Sequence, residues 1–101
     1  MADIAFVKPD AYDNNSVSIA TATTDYNWKV TGTGFTNAPK SKFVSIRTDK
    51  TISVKLNATT NDAISIAATD SPFELNNLIF ITNLFITNAS GDTAVVQVFN
   101  V

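Results

Sequence analysis

Cysteine and histidine are both absent from the 101 residues, and there is one glutamate, Glu74, one arginine, Arg47, and one tryptophan, Trp28. Without Cys or His, the usual ligands for zinc, haem and iron–sulfur clusters are missing, as are thiol nucleophiles and imidazole bases. With a single Glu, acid–base catalysis would have to rest on a pair of aspartates. The chain therefore reads as non-enzymatic, with no cofactor and no metal expected. No apolar run approaches the roughly 20 residues that span a bilayer, so no membrane partner is expected. The start, Met1-Ala2-Asp3, lacks the basic region and long apolar stretch of a secretory signal. Zero cysteines fit assembly in a reducing cytoplasm.

What is abundant is strand and turn material. Ser and Thr together number 22, Asn another 11, and 45% of residues are hydrophobic. Branched residues suit a pleated surface, and Asn and Asp suit turns. A chain of this length buries roughly 60–70% of its unfolded surface, enough for one core without staples. The expected fold class is all-β, an antiparallel β-sandwich or jelly-roll-like barrel of seven or eight short strands. Residues 1–10 read as an N-terminal arm or edge strand and 11–101 as the single domain.

Net charge is −2, unevenly placed: −3 over residues 1–25, +5 over 26–57 and −4 over 58–101. Such segregation can steer association, although linear blocks intermix once strands pair. The pI of 4.7 and the lone Arg47 argue against nucleic acid as a partner.

Alternation and turn signals divide the chain. Residues 4–7 form a short apolar segment stopped by Pro9, 12–16 read as a loop, and 17–24 and 28–33 as strands. Gly32 and Gly34 interrupt the latter, marking a bulge or a close backbone approach. The inward candidates are Val44 and Ile46 in residues 42–48 and Ile52, Val54 and Leu56 in 51–57, and a hairpin matching these faces would set Val44 opposite Leu56, Ile46 opposite Val54 and Thr48 opposite Ile52. The three-residue loop this requires ends on Thr51, a poor left-handed residue. The alternative is that the two strands lie in different sheets, as a jelly roll allows. Residues 63–67 read as a short strand and 69–72 as a turn.

The C-terminal third carries the strongest hairpin signal. Strands over 78–87 and 93–101 flank Asn88-Ala89-Ser90-Gly91-Asp92, and pairing Thr87 with Thr93 makes both faces of the hairpin largely apolar. One face, Leu84, Ile86, Val96 and Val98, fills the core. The other, Ile81, Phe85, Val95 and Phe99, is a candidate oligomer interface, with Asn83 opposite Gln97 as a polar device that sets register.

Other motifs are weak. Three N-glycosylation sequons begin at Asn14, Asn57 and Asn88, about the number such a composition yields by chance. Asp10, Asp13 and Asn14, or Asp92 beside Asn88, could offer oxygens to calcium, but the spacing matches no EF-hand and turn formation is the better explanation. Gly32-Thr33-Gly34 lacks the later glycine and helix of a phosphate loop. Tyr26 and Trp28 alternate on one side of a segment beside Asp25 and Asn27 and could stack on a sugar ring, which makes a small carbohydrate-binding module the rival reading. A lone Trp in a small β domain is more often core.

The run Val44-Ser45-Ile46-Arg47-Thr48, residues 51–57, Ala63-Ile64-Ser65-Ile66, Ser71-Pro72-Phe73-Glu74-Leu75 and Leu84-Phe85-Ile86-Thr87-Asn88-Ala89-Ser90-Gly91 resemble small virion structural proteins of tailed bacteriophages. The resemblance covers about residues 43–100. It implies a jelly-roll-like capsid decoration or cement protein, or a tail or fibre component, made in the host bacterial cytoplasm and resident in the virion. Its partners would be itself, as a trimer for example, and other virion proteins such as the major capsid protein. The arm residues Ile4, Phe6 and Val7 would then grip the shell by strand addition.

Overall fold

The computed structural model describes residues 11–31 and 33–101. The arm residues Ile4, Phe6 and Val7, and Asp10 beside them, lie outside the described residues.

Eight strands form among the described residues: β1 (Asp13–Ile19), β2 (Thr23–Asn27), β3 (Ser41–Thr48), β4 (Ile52–Leu56), β5 (Ile64–Ile66), β6 (Phe73–Ile81), β7 (Leu84–Asn88) and β8 (Ala94–Asn100). They make two four-stranded antiparallel sheets, ordered β1-β8-β3-β6 and β2-β7-β4-β5. Only β4 and β5 are consecutive neighbours in one sheet; every other connection crosses the sandwich. The chain is thus a ribbon doubled over at β4·β5, with β3 against β6, β2 against β7 and β1 against β8 in nested pairs. The ribbon then rolls up so that β8 also pairs with β3 and β7 with β4. This is the wiring of a jelly roll.

The core lies between the sheets. β1, β8 and β3 contribute Ile19, Ala94, Val96, Val98, Val44 and Ile46; β4, β5 and β7 contribute Ile52, Val54, Ile66, Leu84 and Ile86. Trp28 and Phe35, both fully buried, enter from the long loop between β2 and β3. Each inward side chain alternates with an outward one, the period of a strand.

Several expectations change. The β3 and β4 pair does lie in different sheets, so the awkward loop at Thr51 never has to close a hairpin. The region read as a loop at 12–16 is the first half of β1, and the strand read over 17–24 breaks at Ala22, whose φ of 63° turns the chain into β2. Residues 28–31 turn rather than extend. The C-terminal hairpin does not form: Thr82 and Asn83 separate β6 from β7, and β7 and β8 belong to opposite sheets. Leu84 and Ile86 face Val96 and Val98 across the core, not side by side.

The candidate interface of Ile81, Phe85, Val95 and Phe99 therefore is not one face. Ile81 is fully buried, Phe85 lies half-buried on the outer surface of the second sheet between Asn27 and Lys55, and Val95 and Phe99 lie on the outer surface of the first. The physical reason is that β7 and β8 each find two partners in their own sheet, which leaves neither an edge for the other.

Candidate functional site

Extending the inward phase of Ile19 and Val17 back along β1 lands on Asn15 and Asp13, so the apolar face of this edge strand turns polar at its start. Asp13 is buried and its register partner on β8 is Asn100, also buried. A carboxylate removed from water needs donors, and the loop before β3 supplies them. Backbone N–H groups of Thr36, Asn37 and Ala38 donate to Asp13 at 3.1–3.2 Å, and Asn100 Nδ2 adds a fourth donor at 3.2 Å. Three successive amides around one anion form a nest. Asn100 also donates to Ala38 O at 3.2 Å and Ser41 Oγ at 2.9 Å, closing the network onto β3.

Outside this clamp lies a cleft of about 530 Å³ lined by Tyr12, Asp13, Asn14, Asn15 and Asn37. Each asparagine is fixed at one end. Asn14 Oδ1 accepts from Gln97 Nε2 at 3.0 Å, Asn15 Nδ2 donates to Thr33 O, and Asn37 Nδ2 donates to Tyr12 O at 3.1 Å. The Tyr12 ring rests on Phe99, centroids 5.5 Å apart, and Phe99 in turn meets Phe43 edge-on at 6.3 Å.

The other sequence candidates go elsewhere. Trp28 is in the core, so it offers no stacking face; Tyr26 is half-buried, packs against the core and meets Trp28 edge-on at 6.0 Å. A Cβ at Gly34 would stand 2.6 Å from Cδ1 and Nε1 of that indole, the close backbone approach the glycines suggested. Asn83 is buried and fixes its own sheet rather than an assembly: it accepts from Lys29 N and Leu84 N at 2.9 and 2.8 Å and donates to Asn27 Oδ1 at 2.7 Å. The sequon residues are engaged internally. Asn57, at φ 69°, bonds Phe80 O and Thr82 N, and buried Asn88 bonds Ile19 O, Asp92 O and Ser90. Asp13 is already surrounded by donors, which suit an anion and repel a cation. Among the described residues no three Asp, Glu, His or Cys side chains gather as metal ligands.

The cleft residues Asn15 and Asn37 were not singled out in sequence. The signal that could have found them is the phase of β1, whose inward positions 13 and 15 are polar where 17 and 19 are apolar.

A second surface stands at the opposite edge of the same sheet. Between Ser41↔Ile81 and Phe43↔Asn76 the β3·β6 register shifts, so β6 bulges. Ile79 and Phe80 on this bulge are 59% and 48% exposed, among the most exposed large apolar side chains described, and Lys42 Nζ sits 5.5 Å from the Phe80 ring centroid.

Comparison with known protein families, with curated proteins and with solved structures finds no match to this chain.

Proposed function

We propose that the chain is a non-enzymatic structural protein of a phage virion, a capsid decoration or cement protein that binds the shell and stabilises it by adding buried surface with every copy. The observation that carries this reading is the apolar bulge at the β6 edge. Natural sheet edges are usually blunted by charge, proline or a covering element. This edge carries Glu74 and a bulge, yet the bulge itself turns Ile79 and Phe80 out to solvent with Lys42 beside the Phe80 ring, the make-up of a docking site for a neighbouring subunit. The jelly-roll wiring supports the same reading, since that architecture recurs in viral shells. It recurs in lectin domains as well, so fold alone decides nothing about function.

In this scheme the bulge contacts the major capsid protein or a second copy of the chain, and the domain core holds the bulge in shape. A tail or fibre location would use the same surface. The test mixes the purified chain with undecorated capsids and measures occupancy by sedimentation. The Ile79→Asp/Phe80→Asp variant should lose attachment while its melting temperature stays within a few degrees of the parent. Full occupancy by that variant, or no binding by the parent, would remove the proposal. Light scattering after size-exclusion chromatography reports whether the free chain self-associates through the same edge.

A further inference from the structure

The cleft at the start of β1 lies at the opposite edge of the first sheet from the bulge, so it is separate from the surface proposed above for docking. We propose that it is a binding site for a neutral saccharide.

Charge comes first. Among the described residues of the lining the sole carboxylate, Asp13, is committed to three backbone amides and Asn100, and there is no Lys or Arg. A charged ligand would find no counter-charge to displace water for, so the occupant is neutral.

Hydrogen-bonding capacity comes second. An asparagine amide has two donors and one carbonyl acceptor. Among bonds between described residues, one end of each lining asparagine is spent and the other is not: Asn14 retains its Nδ2, and Asn15 and Asn37 retain their Oδ1. The cleft therefore presents both donors and acceptors, and a sugar hydroxyl is both at once. Because each amide is tethered at its far end, its orientation is set before any ligand arrives, which lowers the entropy cost of binding.

The aromatic neighbour comes third. Tyr12 is 43% exposed, and its ring is propped on Phe99. A ring held in place beside planar amides offers an apolar surface to the C–H face of a pyranose while the amides meet its rim of hydroxyls. The cleft, of about 530 Å³, is open to solvent and mainly polar in its lining, so an occupant would lie against the surface rather than be enclosed.

The experiment is a titration of the full chain, labelled with nitrogen-15, against a panel of neutral mono- and disaccharides, followed by amide resonances. For at least one sugar, shifts should appear at Tyr12, Asn14, Asn15 and Asn37, side-chain amides included, with a Kd on the order of 1 mM or tighter, about −4 kcal/mol. Tyr12→Ala and Asn14→Ala, both at exposed positions, should weaken binding about fivefold or more, roughly 1 kcal/mol, with an unchanged melting curve. No shift with any sugar at about 20 mM, some twenty times that Kd, would overturn the proposal. So would shifts that persist in both variants, or shifts produced by calcium chloride or a short peptide but by no sugar. The double variant at Ile79 and Phe80 should keep full sugar binding, so failure of one proposal leaves the other standing.

Discussion

Asn100 Nδ2 donates to Asp13 Oδ2 at 3.2 Å, joining the last residue of β8 to the first of β1 beneath the cleft. Asp13 also holds the loop before β3 through three backbone amides. Replacing it with Asn puts an N–H₂ group among donors and removes a charge-assisted acceptor. Asp13→Asn should cost about 2–3 kcal/mol, a fall in melting temperature of roughly 10 °C or more. Thermal unfolding followed by circular dichroism checks this; a variant as stable as the parent would mean the carboxylate is not the organiser of the loop.

Gly34 is open to a similar test. A methyl group there would press on the indole edge of Trp28 at 2.6 Å and approach Asn100 Oδ1 at 3.2 Å. Those two side chains also hold the buried polar atoms, Nε1 and Oδ1, that lack a partner among the described residues. Gly34→Ala should destabilise by about 1–3 kcal/mol, the usual range for overpacking. The single tryptophan should report the displacement as a change in emission, which wild-type-like emission and stability would contradict.

Ala22 turns β1 into β2 at φ 63°, with Thr23 N bonded to Ala20 O across the turn at 3.3 Å. A side chain costs about 1–2 kcal/mol in that region, and glycine's extra freedom in the unfolded chain costs about 0.5–1 kcal/mol. The first exceeds the second, so Ala22→Gly should stabilise by roughly 0.5–1 kcal/mol. Chemical denaturation resolves a difference of that size, and a net loss would show that the turn carries no strain.

Asn83 and Gln97, which looked like equal partners in sequence, should behave differently. Buried Asn83 serves three groups, while Gln97 makes one exposed bond to Asn14. Asn83→Ala leaves the buried Leu84 amide and the half-buried Lys29 bond without their acceptor and should cost about 2–3 kcal/mol; Gln97→Ala should stay within roughly 0.5 kcal/mol. Equal losses would contradict the assigned network.

How legible this was follows from what alternation encodes. Period-two patterning tells which side chains point inward, so Val44, Ile46, Ile52, Val54, Leu84, Ile86, Val96 and Val98 were readable as core. It does not tell which strand lies alongside, and so a Gly-containing turn at 88–92 suggested a hairpin where the chain in fact crosses the sandwich. The one clue to crossing was negative, the poor fit of Thr51 in a three-residue loop. The start of β1 was illegible for a different reason. Its inward-phase positions are Asp13, held by amides more than 20 residues away in sequence, and Asn15, which bonds Thr33 O 18 residues on, and no local propensity announces such partners. Trp28 was readable as core from its type; that Gly34 makes room for it was only half visible.

The doubled-over ribbon also implies an order of events. Closing a long loop costs more entropy than closing a short one, and each nested pair shortens the loop the next must close. β4·β5, Ile52 against Ile66, encloses the shortest segment, and β1·β8, Asp13 against Asn100, the longest. Folding should therefore be slow for the chain's size, as non-local topologies are, and should run from the middle outward. Truncations at Ile52 and Ile66 should slow folding, whereas truncations at Ile19 should chiefly speed unfolding. The cleft at the start of β1 would then be the last feature to take shape, and any ligand bound there would hold the two ends of the ribbon shut.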